Sequence, residues 1–226
     1  MEAIYSTFED AEEILLKEEE NILRIIFTRH GRTHLNAERR FQPWTPEGDQ
    51  LNPEGVTSAR DLGKKLKYVP IRKIYSSDWH RVVHTARLIN EERNPPLQEI
   101  QISRGLRDFD FGALCGVSVT DADRLYPELS EQRRNSLHTF EAPGGDTFVD
   151  FHNRKKEELI RIISENSMGN ILVASHAYVT KCLIMAALDL TVEGYADKIN
   201  IKNTSISIVE LKDREIPGRL LVLNNK

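Results

Sequence analysis

Two short apolar runs, Ile22-Leu23-Arg24-Ile25-Ile26-Phe27 and Ile171-Leu172-Val173-Ala174, most constrain what this chain can fold into. Each has the length of a buried strand, and each runs directly into a histidine-bearing turn. The first continues as Thr28-Arg29-His30-Gly31 and the second as Ser175-His176-Ala177. Between and around them the pattern alternates. Residues 5–19 carry Phe8, Ala11 and Leu15 at helical spacing, with Ile4 ahead of them, and either Thr7 with Asp10 or Ser6 with Glu9 offers a cap. Residues 53–67 predict a helix with Pro53 in its first turn, residues 73–76 a short strand, and residues 79–92 a helix stopped before Pro95-Pro96. Residues 98–103 predict another strand, residues 105–145 an irregular stretch with one or two short helices, and residues 147–166 a long helix. Residues 177–188 predict a further helix, and residues 204–211 and 219–223 two strands joined at Pro217-Gly218. Residues 31–52, with Pro43, Pro46 and Gly48, read as loop. This alternation predicts a layered α/β domain with a largely parallel sheet, closed by a hairpin.

Charge and composition narrow the function classes. Lys and Arg number 31 against 35 Asp and Glu, a net charge of −4 over 226 residues. That excludes a broadly basic nucleic-acid binder and leaves room for a local basic pocket. No apolar run approaches the ~20 residues that span a bilayer. Met1-Glu2-Ala3 reads as neither a secretory leader nor a myristoylation signal. Cys115 and Cys182 make no disulfide framework, so inert thiols in a reducing cytoplasm are expected.

In an open α/β sheet, ligands bind beyond the carboxyl ends of the strands. Three strand ends here bear suggestive residues: Arg29-His30-Gly31, then Tyr75-Ser76-Ser77-Asp78-Trp79-His80-Arg81, then Ser175-His176. Two arginines and two histidines are thereby expected at one sheet edge, where helix N-termini also aim backbone N–H groups.

These residues resemble the histidine phosphatase (phosphoglycerate mutase-like) superfamily, from about Leu23 to the end. Arg29-His30-Gly31 matches its signature, followed by Thr33, Asn36, Arg40 and Gln42. Leu51 to Gly55 looks like the opening of its first helix, and Ser77-Asp78 through Arg81 to Thr85-Ala86 its second arginine motif. Leu106 to Gly112, closed by Gly116, is similar to its acid-bearing loop. Pro143 to Thr147, Ser175-His176 and Asn203 to Ile206 complete the series. The resemblance implies a three-layer α/β/α sandwich with a mostly parallel central sheet, residues 22–226 forming one domain and residues 1–21 an N-terminal helical extension. It implies His30 as nucleophile, Arg29 and Arg81 as phosphate clamps, His176 protonated beside the phosphate, and Asn36 and Arg40 as further substrate contacts. Asp108 aligns with the family's proton donor, a glutamate in most members, and Asp110 stands close enough to share the role. Arg32 stands where many members carry Glu or Gln, Pro43 replaces a frequent glycine, and Ala177 replaces the glycine after the second histidine.

A phosphomonoesterase acting on a phosphorylated small molecule is the expected activity, with no metal or organic cofactor and no nucleic-acid or membrane partner; a homo-oligomer is left open. A mutase must hold a bisphosphorylated intermediate under long covering segments, whereas only about twenty-five residues separate Gly116 from Pro143. That length favours hydrolysis, with a phosphoglycerate mutase-type phosphotransferase as one alternative and a non-catalytic phosphate or phosphoprotein-binding module as the other. His80 and His84, four residues apart, lack a third metal ligand at fitting spacing. Arg133, Arg134 and His138 read as surface residues, the alternative being contact with the far end of a substrate.

Overall fold

The two apolar runs lie side by side as parallel strands, Ile25 opposite Ile171 and Arg29 opposite Ser175. The computed structural model describes residues 2–42 and 49–225; the expectations attached to Met1, Pro43, Pro46 and Gly48 lie outside the described residues. In chain order the elements are α1 (Phe8–Leu15), β1 (Ile22–Arg29), α2 (His34–Ala37), α3 (Pro53–Lys65), β2 (Ile71–Ser77), α4 (His80–Glu91) and β3 (Gln101–Ser103). They continue with α5 (Val119–Leu125), α6 (Pro127–Asn135), α7 (Phe148–Ser164), β4 (Gly169–Ser175), α8 (Ala177–Ala187), α9 (Val192–Tyr195), β5 (Ile206–Lys212) and β6 (Arg219–Asn225).

The sheet has the order β3-β2-β4-β1-β5-β6. Its first four strands are parallel, and β5 and β6 form an antiparallel hairpin beside β1. Because side chains alternate across a strand, the apolar runs feed two cores at once. Ile25, Phe27, Ile171, Val173 and Val209 pack on one face with Phe151, Leu159 and Ile162 of α7 and Leu183 of α8. Ile26, Ile74, Leu172, Ala174 and Ile208 pack on the other with Phe8, Ala11 and Leu15 of α1, Leu62 of α3 and Val82, Ala86 and Ile89 of α4. Each fully buried aliphatic or aromatic side chain contributes roughly 1.5–3 kcal/mol. The result is the expected three-layer sandwich. Arg24, the cation within the first run, is buried and donates to Glu210 directly opposite on β5 (2.9 Å).

The connections position a crevice. After β1 the chain passes through α3 on one face to reach β2, and after β4 it passes through α8 on the other face to reach β5. β1 and β4 are neighbours, so their carboxyl ends lie where the connections diverge. Among the described residues no helix is long and apolar enough to cross a membrane.

Four local elements differ from the sequence reading. Thr7 and Asp10 form a capping box for α1, but the helix is shorter than residues 5–19, because Ile4 and Tyr5 run beside β6 and donate to the Leu220 and Leu221 carbonyls. The expected loop after Gly31 contains α2, too short for apolar periodicity and closed by a Thr33–Asn36 capping box. The strand expected over residues 98–103 shrinks to β3, and α9 lies in a stretch given no element.

Gly55, in the first turn of α3, lets that helix touch the backbone after His30: a Cβ there would lie 2.1 Å from the Arg32 carbonyl oxygen. Gly55→Ala is therefore expected to destabilise the fold by about 1–3 kcal/mol or more, read as a lower urea midpoint. An unchanged midpoint would show that the two backbones separate freely.

Candidate active site

His30 follows β1 and its backbone is tied on both sides. Its N–H donates to the Ser175 carbonyl (2.9 Å), and its own carbonyl accepts from Asn203 Nδ2 (2.9 Å). The next N–H, of Gly31, donates to Thr85 Oγ1 (2.9 Å). The imidazole is held as firmly: Nδ1 lies 2.7 Å from the Gly31 carbonyl. A carbonyl only accepts, so Nδ1 carries the proton and Nε2 keeps its lone pair. Nε2 faces Arg81 Nε at 3.3 Å.

Arg81 comes from the first turn of α4 and is completely buried. Its Nη1 donates to Asp49 Oδ1 (2.9 Å) and its Nη2 to His176 Nδ1 (3.1 Å), while the guanidinium stacks 4.3 Å over the Trp79 ring. The Asp49 carboxylate also accepts the backbone N–H groups of His80 (2.6 Å) and Arg81 (3.1 Å). Trp79, the N-cap of α4, supplies no side-chain cap, so a carboxylate from a distant loop caps the helix and balances the arginine together.

His176 follows β4 and is also completely buried. Since its Nδ1 accepts from Arg81, its Nε2 bears the proton and donates to Ser77 Oγ (3.1 Å). Burial, then the charge of Arg81, holds His176 well below the ordinary histidine range; burial, then Arg81 and Arg29, does the same to His30. The loss of solvent and the nearby guanidinium both disfavour the His176 cation, whereas the protonation expected from the sequence is beside a phosphate. Asp108 Oδ2 lies 3.5 Å from His176 Nδ1 and 3.7 Å from Arg81 Nη2. Burial raises its proton affinity, against the opposing pull of Arg81 and Arg29.

Asp110 does not share this position. Its carboxylate turns back to accept the Gly112 N–H (2.9 Å), and its own N–H donates to Asp146 (3.0 Å). Arg29 donates to the Ile201 carbonyl (2.9 Å), and burial lowers it to about 10. A cavity of ≈ 170 Å³ opens beside these groups, lined by Arg29, His30, Asp108, Asn36 and Arg40 together with Arg133. Phe41, Phe111 and Tyr178 supply apolar lining, as does Ala177 at the start of α8. Asn36 Oδ1 accepts from Asn203 Nδ2 (3.2 Å), and Arg40 Nη1 donates to the Gly116 carbonyl (2.9 Å). Arg32 turns aside to pair with Glu54 (2.6 Å). Of the residues read as surface groups, Arg133 of α6 reaches the cavity, whereas Arg134 pairs with Asp123 (2.8 Å). His80 and His84 sit with ring centroids 5.7 Å apart, and among the described residues no cluster of three or more potential metal ligands forms. Asp49 and the hydroxyl of Ser77 were given no role from the sequence; nothing local marks a loop carboxylate as the partner of an arginine thirty-two residues on.

The model of the histidine phosphatase superfamily (branch 1) matches residues 25–226. The 2,3-bisphosphoglycerate-dependent phosphoglycerate mutase of Bradyrhizobium sp. (strain ORS 278) is 28% identical over 174 residues, covering 75% of this chain and 83% of the mutase. Among solved structures, Bacillus stearothermophilus YhfR superposes with a TM-score of 0.79 at 25% identity, covering 90% of this chain and 98% of that one. A mycobacterial glucosyl-3-phosphoglycerate phosphatase shares the fold with a TM-score of 0.79 at 22% identity, covering 91% and 100%.

The neutral histidines carry a consequence for stability. In the unfolded chain both titrate near ~6.5, so below that pH the unfolded state binds protons that the fold refuses. Their contribution is full above pH ~6.5 and is lost as pH falls, at up to about 1.4 kcal/mol per pH unit for each. Urea unfolding at pH 7.5 and 5.5 is expected to show this loss, and His176→Asn to reduce it. An equal loss in the variant would place the proton uptake elsewhere.

Proposed function

We propose that this chain, which belongs to the histidine phosphatase superfamily, is a phosphomonoesterase that works through a phosphohistidine on His30. The observation that carries the reading is the state of His30, which lines the cavity: Nδ1 is pinned to the Gly31 carbonyl, so Nε2 keeps its lone pair and accepts from Arg81 Nε (3.3 Å). A phosphate ester entering there meets the Arg29 guanidinium in the cavity lining and, beside His30, the buried guanidinium of Arg81; planar forks of this kind suit phosphoryl oxygens. Its negative charge replaces the missing solvent around those cations and raises the proton affinity of His176.

The Nε2 lone pair attacks phosphorus as the bond to the leaving oxygen breaks, and the Asp108 carboxyl gives its proton to that oxygen. The raised proton affinity of Asp108 suits a donor. In the second half the Asp108 carboxylate takes a proton from water, the hydroxide attacks phosphorus, and the P–N bond returns its electron pair to Nε2. Asp108 ends protonated and phosphate leaves. Positioning and charge stabilisation supply the rest, so the reading calls on no metal or organic cofactor.

The cavity volume of ≈ 170 Å³ suits a small phosphorylated molecule. A mutase is the second reading, favoured by Arg40 and Arg133 at the cavity, which offer a second anionic group a place. The short helices α5 and α6, which make up the segment after the acid loop, support water as acceptor instead. A pure binding module has no use for a lone pair and a proton donor set beside the same arginines.

In a panel of phosphate esters with EDTA present, the wild type is expected to release phosphate and His30→Ala to release none above background. Activity that persists in the variant sinks the proposal, and equilibration of 2- and 3-phosphoglycerate without net hydrolysis turns it into a mutase. Asp108→Asn is expected to lower kcat on alkyl phosphates by about 10²–10⁴, the usual contribution of a general acid. Asp110→Asn is expected to lower it far less, since that carboxylate holds a turn; the reverse order would move the proton donor to Asp110.

A further inference from the structure

The loop bearing Asp108 is gripped by helix α7. Lys155 of that helix is only 4% exposed, and its Nζ donates to the carbonyls of Gly105 and Arg107, each at 2.8 Å. Its ammonium also lies 4.5 Å from the centre of the Phe151 ring. One turn further on, Glu158 Oε1 accepts from Ser103 Oγ (2.6 Å). The loop can lie this close because residue 105 has no side chain: a Cβ on Gly105 would sit 2.3 Å from Glu158 Oε2. From the other side Arg107 donates to both oxygens of Asp78, Nε at 2.9 and 3.0 Å and Nη2 at 2.6 Å.

Burying an ammonium is expensive, and burial lowers this one to about 8. Helix packing gives no reason to keep it, since an apolar side chain of the same length fills the space without that cost. Its two acceptors supply the reason. The Arg107 carbonyl belongs to the peptide group that carries the Asp108 nitrogen, so a bond to it sets the plane from which Asp108 projects. An aspartate reaches one methylene less far than a glutamate and has only two side-chain torsions with which to correct a misplaced backbone.

We infer that Lys155 is a positioning residue for proton donation, holding the Arg107–Asp108 peptide so that the short carboxyl of Asp108 meets the leaving oxygen. This rests on the phosphatase reading, and the test separates the two. p-Nitrophenyl phosphate has a leaving group that needs little protonation, whereas β-glycerophosphate has one that needs it fully. Lys155→Met is expected to lower kcat/KM for β-glycerophosphate by about 10–100-fold and for p-nitrophenyl phosphate by no more than about threefold, with Lys155→Gln in between because it restores one donor. Equal losses on the two substrates, or none, would overturn the inference while leaving the phosphatase in place. If the wild type hydrolyses neither ester, the phosphatase reading fails and hydrogen exchange decides on Lys155. The Arg107 N–H, which donates to the Arg104 carbonyl (3.1 Å), is expected to exchange faster in Lys155→Met while the amides of α7 do not. Unchanged exchange at Arg107 overturns the inference, and faster exchange throughout α7 does so too by showing a general loss of packing.

Discussion

The guanidinium of Arg81 has its nitrogens shared among His30, His176 and Asp49, with Asp108 just beyond hydrogen-bond range. Buried as it is, such a cation left unbalanced costs several kcal/mol, and the fold meets that cost with a carboxylate brought from a separate loop. Its planarity then fixes the two imidazoles relative to each other, with ring centroids 5.4 Å apart. Burial, together with the charge of Arg81, disfavours the cation of both, and a neutral His30 is the form that has an electron pair to give.

That arrangement is possible because β1 and β4 are adjacent and parallel. Arg29 opposite Ser175 means that both histidines leave the sheet at one level, each as the first residue past its strand. The diverging connections leave that level uncovered by either helical layer. A shift of one residue between β1 and β4 moves one histidine to the opposite face and separates the pair.

Arg29, His30, Arg81 and His176 were legible in the sequence because each sits at a strand end or in the first turn after one, where local pattern determines position. The layered fold was legible for a related reason: the buried runs are strand-length and the stretches between them are helix-length. Asp108 came from family resemblance, since a carboxylate in an irregular loop has no periodicity to place it. Its separation from Asp110 needed the fold, in which one carboxyl faces the histidines and the other closes a turn. Asp49 and Lys155 were not legible at all, because their partners are brought to them only by tertiary packing. The charge of His176 depended on burial, which is a property of the whole assembly of strands rather than of Ser175-His176-Ala177. Arg133 was read as a surface group, and it meets the cavity because α6 packs against Phe41 and its neighbours.

The backbone of Ile4 and Tyr5 runs along the outer border of β6, donating to the Leu220 and Leu221 carbonyls at 3.1 and 2.8 Å. The opposite border is β3, only three residues long. A very short outer strand at one margin and a flanking segment at the other both limit the free edge on which another molecule could add a strand. The segment ahead of α1 thus covers part of the β6 border. Peeling it away would return the Leu220 and Leu221 carbonyls to solvent and lengthen the free edge of the sheet.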